Sequence, residues 1–162
     1  MKIGVISDTH IKNPAKTLPN EIFEVFEGVD LILHAGDILI EEVLIELEAI
    51  APVHVVAGNN DSYELLRKYG TRKVIEVGGK RIGLTHGMGL GRGKTYIRAY
   101  AEFLDDNVDC IVYGHSHIPH NELVDDILFF NPGSATQRRL QPRHSIGILY
   151  ITEKITGEII YI

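Results

Sequence analysis

The stretch IGVISDTH, residues 3–10, is an apolar run that ends on an aspartate and a histidine two positions apart. Four later apolar runs also end on side chains that bind metal ions: LILHAGD (31–37), VHVVAGNND (53–61), RIGLTHG (81–87) and CIVYGHSH (110–117). In an open α/β sheet the chain turns at the carboxyl ends of the strands, and side chains converge there on one crevice. We therefore expect these five strand ends to meet, although they span most of the sequence.

The side chains at these strand ends comprise two carboxylates, one amide oxygen and four imidazoles. They are Asp8, His10, Asp37, Asn59, His86, His115 and His117. This set is too large for one ion and suits a pair of divalent transition-metal ions. It contains no sulfur, which permits Mn²⁺, Ni²⁺, Fe²⁺, Co²⁺ or Zn²⁺ as the cofactor. We expect Mn²⁺ or Ni²⁺.

The individual motifs differ in how strongly they indicate a metal. Asp8 and His10 share one side of an extended chain and can hold one ion together. Asp37 lies in the middle of the set, and its two carboxylate oxygens can bridge two cations. Gly114-His115-Ser116-His117 is the sharpest motif, because two imidazoles behind a buried strand are hard to explain as core packing. Gly58-Asn59-Asn60-Asp61, taken in isolation, predicts a turn.

Composition limits the class of protein. The chain has 162 residues, 44% apolar and 23% charged, which is typical of a globular domain. Its net charge of −6 argues against a broad nucleic-acid surface but permits a small phosphate ester at a metal site. No apolar run approaches the ~20 residues of a membrane span. We expect residues 1–162 to form one domain, located in the cytoplasm, with Cys110 buried. The composition leaves open whether the protein forms a homo-oligomer.

The pattern of elements indicates an α/β fold. Strands alternate with helical patterns in the first half, which predicts a mainly parallel sheet. Helices are predicted near 20–27, 41–50, 62–67 and 95–104, and a hairpin turning at Gly78-Gly79 near 73–84. Consecutive strand patterns at 122–130, 145–152 and 158–162 predict a second, more antiparallel sheet packed on the first.

The ordered motifs resemble those of the calcineurin-like metallophosphoesterase superfamily. They are Asp8-x-His10, Gly36-Asp37, Gly58-Asn59, His86 and Gly114-His115-x-His117. The short length and Asn131-Pro132-Gly133-Ser134 are similar to its small YfcE-like phosphodiesterase branch. The resemblance covers nearly the whole chain. It implies a four-layer α/β/β/α sandwich of two mixed sheets flanked by helices.

The resemblance also implies two metal sites that share Asp37. The first is completed by Asp8, His10 and His117, and the second by Asn59, His86 and His115. A dinuclear metal-dependent phosphodiesterase follows, in which a metal-bridging hydroxide attacks the phosphorus of a small phosphodiester. Arg92 and Asn131 are further candidates for contact with this substrate.

One position departs from the family pattern. The family usually has histidine after the Gly-Asn pair, where it protonates the leaving oxygen or holds the phosphate, and this chain has Asn60. An amide hydrogen-bonds a phosphate oxygen but does not give up a proton at neutral pH. We therefore predict that Asn60 positions the ester, and that alkyl phosphomonoesters are poor substrates.

Two alternative functions remain. The retromer subunit of vacuolar sorting has this fold and serves as a protein-binding scaffold with a degraded site, whereas all seven ligand positions here carry competent residues. The segment 88–95 ends like a nucleotide-binding P-loop, but Met88 stands where that motif requires glycine. We expect its glycines to form a mobile loop beside His86 instead.

Overall fold

The structure is a computed structural model that describes residues 1–89 and 93–162. These residues form ten strands and four helices. In chain order they are β1 (Lys2–Ile6), α1 (Asn20–Val25), β2 (Leu31–His34), α2 (Glu42–Glu48), β3 (Val53–Val55), α3 (Tyr63–Tyr69), β4 (Arg72–Val77), β5 (Lys80–Thr85), α4 (Thr95–Ala101), β6 (Cys110–Val112), β7 (His120–Val124), β8 (Ile127–Asn131), β9 (Ser145–Ile151) and β10 (Ile155–Tyr161).

The strands form two five-stranded sheets, and both are mixed. The first has the order β10-β9-β1-β2-β3, with β1, β2 and β3 parallel and β9 antiparallel to both its neighbours. The second has the order β4-β5-β6-β8-β7, with β5, β6 and β8 parallel and an antiparallel strand at each edge. The predicted α/β class with two mixed sheets is therefore confirmed.

The C-terminal strands differ from the prediction, because they do not form a sheet of their own. Strands β9 and β10 extend the first sheet, where Lys2 pairs with Tyr150 and Val5 with Gly147. The stretch predicted as one strand at 122–130 is a hairpin, β7–β8, that joins the second sheet. Strand β1 has β2 on only one edge, so β9 supplies the hydrogen-bond partners for the other.

Three apolar clusters separate four layers. The cluster between the sheets contains Ile3, Val5, Leu33, Ile82, Leu84, Val112, Phe130 and Leu149. Helices α1 and α2 cover the outer face of the first sheet through Phe26 and Leu47. Helix α4 and the turn after it cover the second sheet, where the Phe103 ring lies against Gly83. The layers thus run helix, sheet, sheet, helix.

The shorter-range predictions agree with the structure. The β4–β5 hairpin turns at Gly78 and Gly79, both with positive φ (57° and 73°), as a tight two-residue turn requires. Helix α3 follows Ser62, whose Oγ accepts a hydrogen bond from the Leu65 N–H. Cys110 is fully buried, as expected. None of the helices in the described ranges has the length and apolar character to cross a membrane.

Candidate metal centre

The candidate ligands lie in loops at one edge of the two sheets. Asp8 and His10 follow β1, and Asp37 follows β2; the backbone N–H of Asp8 donates to Gly36 O (3.0 Å) and that of His10 to Asp37 O (3.0 Å). The second sheet is joined to this edge by the His115 N–H, which donates to Asp8 Oδ2 (3.0 Å). Ligands from both sheets therefore belong to one connected group of loops.

One compact group contains Asp8, His10 and His117. Asp8 Oδ1 lies 3.1 Å from His117 Nε2 and 3.7 Å from His10 Nε2. The two imidazole rings are 5.1 Å apart between centroids. Ligand atoms that share one ion lie at about such separations, since first-row metals hold oxygen and nitrogen at about 2.0–2.2 Å.

A second compact group contains Asp8, Asp37 and His86. Asp37 Oδ2 lies 3.3 Å from His86 Nε2 and also 3.3 Å from His10 Nε2. This oxygen therefore stands midway between a histidine of each predicted ligand set. The position is the one that a bridging carboxylate requires.

Asn59 and His115 lie at the rim of the centre, and His115 is outside both compact groups. Asn59 Oδ1 is 2.9 Å from His115 Nδ1, and the His115 ring meets that of His86 edge-on at 5.2 Å between centroids. Asn59 is exposed and His115 half-buried, whereas Asp8, Asp37 and His86 are buried. The structure thus brings all seven predicted residues to one place, five tightly and two at its solvent edge.

Hydrogen bonds fix the direction of two imidazoles. His86 Nδ1 is 2.7 Å from Ala35 O, and His117 Nδ1 faces Gln137 O. A carbonyl oxygen only accepts, so each Nδ1 carries the proton and donates it. The Nε2 of each ring then points at the carboxylates. Metal-binding histidines in proteins are commonly oriented in this manner.

Four buried polar atoms in this cluster have no hydrogen-bond partner among the described residues. They are Asp8 Oδ1, His10 Nε2, His86 Nε2 and His117 Nε2. Burial of a polar atom without a partner costs free energy, and nearly all such atoms in proteins are satisfied. Cations at the centre would satisfy all four, so this donor set fits metal ions.

The backbone of the cluster is strained. Five of the seven candidate ligands have φ in the left-handed region, a conformation that non-glycine residues seldom adopt. They are Asp8 (54°), His10 (45°), Asp37 (57°), His115 (67°) and His117 (59°). Glycine permits the close packing around them, because a Cβ at Gly58 would lie 2.2 Å from Asp37 Oδ1. Such strain concentrates at binding and catalytic sites.

The two carboxyl groups are held ionised. Burial raises the pKa of Asp8, but the imidazoles of His10 and His117 outweigh it and leave the pKa well below the ordinary value. Burial likewise raises the pKa of Asp37, but His86 and Asn60 lower it to about 2. The cluster therefore presents two carboxylates at neutral pH.

Asn60 contacts Asp37 directly. Its backbone N–H donates to Asp37 Oδ1 (2.8 Å), and its side-chain amide donates to Asp37 Oδ2 (2.7 Å). The side chain is exposed, so it lies between the carboxylate and the solvent. In this conformation Asn60 orients Asp37.

Asp61 supports the centre in a way that the predicted turn at Gly58-Asn59-Asn60-Asp61 did not indicate. Its carboxylate accepts hydrogen bonds from the backbone N–H groups of Asp37 (3.0 Å), Ile38 (2.8 Å), Leu39 (2.8 Å) and Gly58 (2.7 Å). It thereby ties the loop that carries Asp37 to the loop that carries Asn59. An aspartate after two asparagines is an ordinary turn residue, so the sequence held no signal for this role.

Asn131 and Arg92 are the two residues outside the centre that were predicted to contact the substrate. Asn131 is fully buried; its amide donates to Gly114 O (2.8 Å) and Ser116 Oγ (3.1 Å), and its Oδ1 accepts from the Gly133 N–H. This geometry favours support of the His115–His117 loop over the substrate contact expected from the sequence. Arg92 lies outside the described residues, as do its neighbours at 90 and 91.

The family follows from comparison with known proteins. Residues 1–154 match the family described as the calcineurin-like phosphoesterase superfamily domain. The chain belongs to this family. A probable metallophosphoesterase of Methanothermobacter thermautotrophicus is 40% identical, over 99% of this chain and 92% of that protein. A phosphodiesterase of Methanocaldococcus jannaschii is 31% identical, over 99% of each chain. The resemblance found in the motifs is confirmed.

Solved structures show the same architecture. A variant of Vps29 from Entamoeba histolytica superimposes with a TM-score of 0.80 at 24% identity, covering 100% of this chain and 99% of that one. A structure described as a novel archaeal phosphodiesterase has a TM-score of 0.73 at 29% identity and covers 100% of both chains. The Vps29 likeness establishes the fold alone.

Proposed function

We propose that this member of the calcineurin-like family is a dinuclear metal-dependent phosphodiesterase. The observation that carries the proposal is the convergence of four buried atoms without a hydrogen-bond partner, from Asp8, His10, His86 and His117, at the carboxylates of Asp8 and Asp37. Without a metal these atoms are satisfied only where an imidazole is protonated beside a carboxylate, whereas cations satisfy all four with neutral imidazoles. The relatives named as a phosphodiesterase support the same reaction class.

In this proposal two divalent cations share Asp37. Asp8, His10 and His117 complete the first set of ligands, and Asn59, His86 and His115 complete the second. When bound, the cation pair supplies a water molecule activated for in-line attack on phosphorus and neutralises charge on the ester oxygens. The protein contributes two ionised carboxylates, so the loaded centre keeps positive charge and attracts an anionic ester.

The residues at the solvent edge set the substrate preference that we propose. Asn60 offers amide hydrogens but no transferable proton, so the leaving group must depart without an acid at that position. An ester with a stable leaving group meets this condition, and one with an alkyl leaving group does not. We propose small phosphodiesters as the substrate class because two relatives are named as phosphodiesterases.

The cofactor and location are also part of the proposal. The oxygen and nitrogen ligands suit Mn²⁺ or Ni²⁺. We propose a cytoplasmic location, which the single buried thiol of Cys110 supports because the fold needs no disulfide.

The test is a hydrolysis screen on metal-replete protein, with bound metal measured in the same samples. We expect turnover of bis(4-nitrophenyl) phosphate, weak turnover of an alkyl phosphomonoester, and a strong loss in His86→Gln. His54, an exposed residue on β3, provides the matched control, and His54→Gln should keep full activity. Protein that binds two metals and hydrolyses no ester would contradict the proposal and favour a Vps29-like scaffold.

A further inference from the structure

A cavity of about 530 Å³ opens beside His10. Its wall includes His10, Lys12, Asn13, Lys16, Gln137 and His144. The cavity thus begins at a candidate metal ligand and continues along the two loops at 10–19 and 133–144. Its volume suits a nucleotide-sized group next to the reacting phosphate.

These two loops are basic in an acidic protein. The chain has 22 acidic and 16 basic residues, yet residues 10–19 and 133–144 contain five Lys or Arg and no Asp or Glu. Lys12 and Lys16 line the cavity and are exposed, and the ion pairs formed by described lysines involve Lys68 and Lys80 instead. The cavity wall therefore carries two lysine charges that no described carboxylate pairs with.

The arginines of the second loop contribute less directly. Arg138 donates to Gln141 O, and Arg143 donates to Tyr161 O and lies over the Tyr161 ring. None of the three arginines, Arg139 included, lines the cavity. The two lysines are therefore the groups in position to contact a bound anion, and the arginines raise the local potential.

The basic wall is bonded to the candidate ligands. Ser134 Oγ donates to Asp8 O (2.8 Å), Thr136 Oγ1 donates to Thr9 O, and His117 donates to Gln137 O. An anion in the cavity would thus lie in a fixed relation to the metal centre. Both parts can contact one molecule of substrate.

We propose that this cavity binds a second phosphate of the substrate. The inference rests on the proposed function and narrows it, since it assigns the preferred substrates to phosphodiesters that carry a further phosphate beside the scissile one. Lysine ammonium groups bind phosphate as point charges. Two of them in one cavity favour a small ligand with an additional phosphate and do not require a broad nucleic-acid surface.

The test measures binding on metal-loaded protein by titration calorimetry, with thymidine 3′,5′-bisphosphate and thymidine 5′-phosphate as probes. We expect wild type to bind the bisphosphate roughly tenfold more tightly, as two partly exposed ion pairs allow. The double variant Lys12→Gln/Lys16→Gln should lose this preference. The control Lys154→Gln, at the β9–β10 turn near the opposite edge of the sheet, should retain it.

Two results would overturn the inference: equal binding of the probes by wild type, or an undiminished preference in the double variant. Turnover of the 4-nitrophenyl esters of the same nucleotides is measured in parallel. A preference that the two lysines control, found without turnover of either ester, supports the cavity and contradicts the hydrolytic function. Phosphate binding in the cavity and phosphodiester hydrolysis are thus tested independently.

Discussion

The carboxylate of Asp37 is placed to serve both metal sites, because its Oδ2 lies 3.3 Å from His10 Nε2 and 3.3 Å from His86 Nε2. We expect Asp37→Asn to lower kcat/KM by about 10³-fold, and His10→Gln or His86→Gln by about 10²-fold each. The measurement is bis(4-nitrophenyl) phosphate hydrolysis under saturating Mn²⁺. Near wild-type turnover in Asp37→Asn would show that another residue bridges the ions. Asp105→Asn, which removes the same charge at an exposed position, is the control and should keep wild-type turnover.

Asn60 occupies the position where a histidine could protonate the leaving oxygen. General acid catalysis contributes ~10²–10⁴ in rate, so Asn60→His should improve hydrolysis of esters with poor leaving groups more than that of nitrophenyl esters. The Asn60 amide now donates to Asp37 Oδ2 (2.7 Å), and an imidazole at this position would also have to reach the leaving oxygen. Rates for both ester types across pH give the answer. An unchanged ratio between them would show that the acid lies elsewhere or is not needed.

The residues at the centre were predictable to different degrees. The ligands could be found because histidine and aspartate at the ends of buried strands have few structural explanations. Asp61 and Asn131 could not be assigned in this way, since their roles depend on backbone groups from loops distant in sequence. A residue that supports a site from another loop gives no local signal.

At the scale of elements, Asp61 joins the loop after β2 to the loop after β3. In Asp61→Asn one oxygen becomes an amide that faces N–H donors, so we expect a loss of about 2–3 kcal/mol in unfolding free energy. Metal affinity should fall by about 10–100-fold, because supporting partners orient the ligands. Urea unfolding of metal-free protein and metal titration measure the two effects. An unfolding free energy and a metal affinity equal to those of wild type would show that Asp61 does not support the centre.

The elements themselves were largely predictable, but their arrangement was not. The β4–β5 hairpin is encoded within a few residues by Gly78-Gly79 between two alternating runs. The pairing of β1 with β9 joins Lys2 to Tyr150, and alternation identifies each strand without naming its partner. The sequence therefore predicted two sheets but assigned β9 and β10 to the wrong one.

At the scale of the whole molecule, the buried His34 makes stability depend on pH. Burial lowers its pKa to about 3 from 6.5, while its Nδ1 accepts from the Gly36 N–H and its Nε2 contacts Thr9 Oγ1. The unfolded chain binds the proton more readily. The contribution of neutral His34 to folding stability is thus complete above about pH 6.5 and is lost as pH falls toward 3. Asp37, with its pKa lowered to about 2 from 3.8, acts in the same direction in stronger acid.

Metal-free wild type should therefore lose stability between about pH 7 and pH 4, and His34→Gln, which has no titrating group there, should show a smaller slope. Urea unfolding at several pH values measures both. Burial also lowers the pKa of His54, but less than that of His34, so His54→Gln should reduce the slope less than His34→Gln does. Equal slopes in wild type and His34→Gln would contradict the role given to His34.

The central claim, that two cations at one centre make this fold a phosphodiesterase, is tested most directly by a stepwise titration of metal-free protein with Mn²⁺. Hydrolysis of bis(4-nitrophenyl) phosphate is read at each addition, together with the amount of metal bound. We predict that two ions bind per chain and that activity rises mainly with the second. Saturation at one ion, or two bound ions without hydrolysis, would contradict the account.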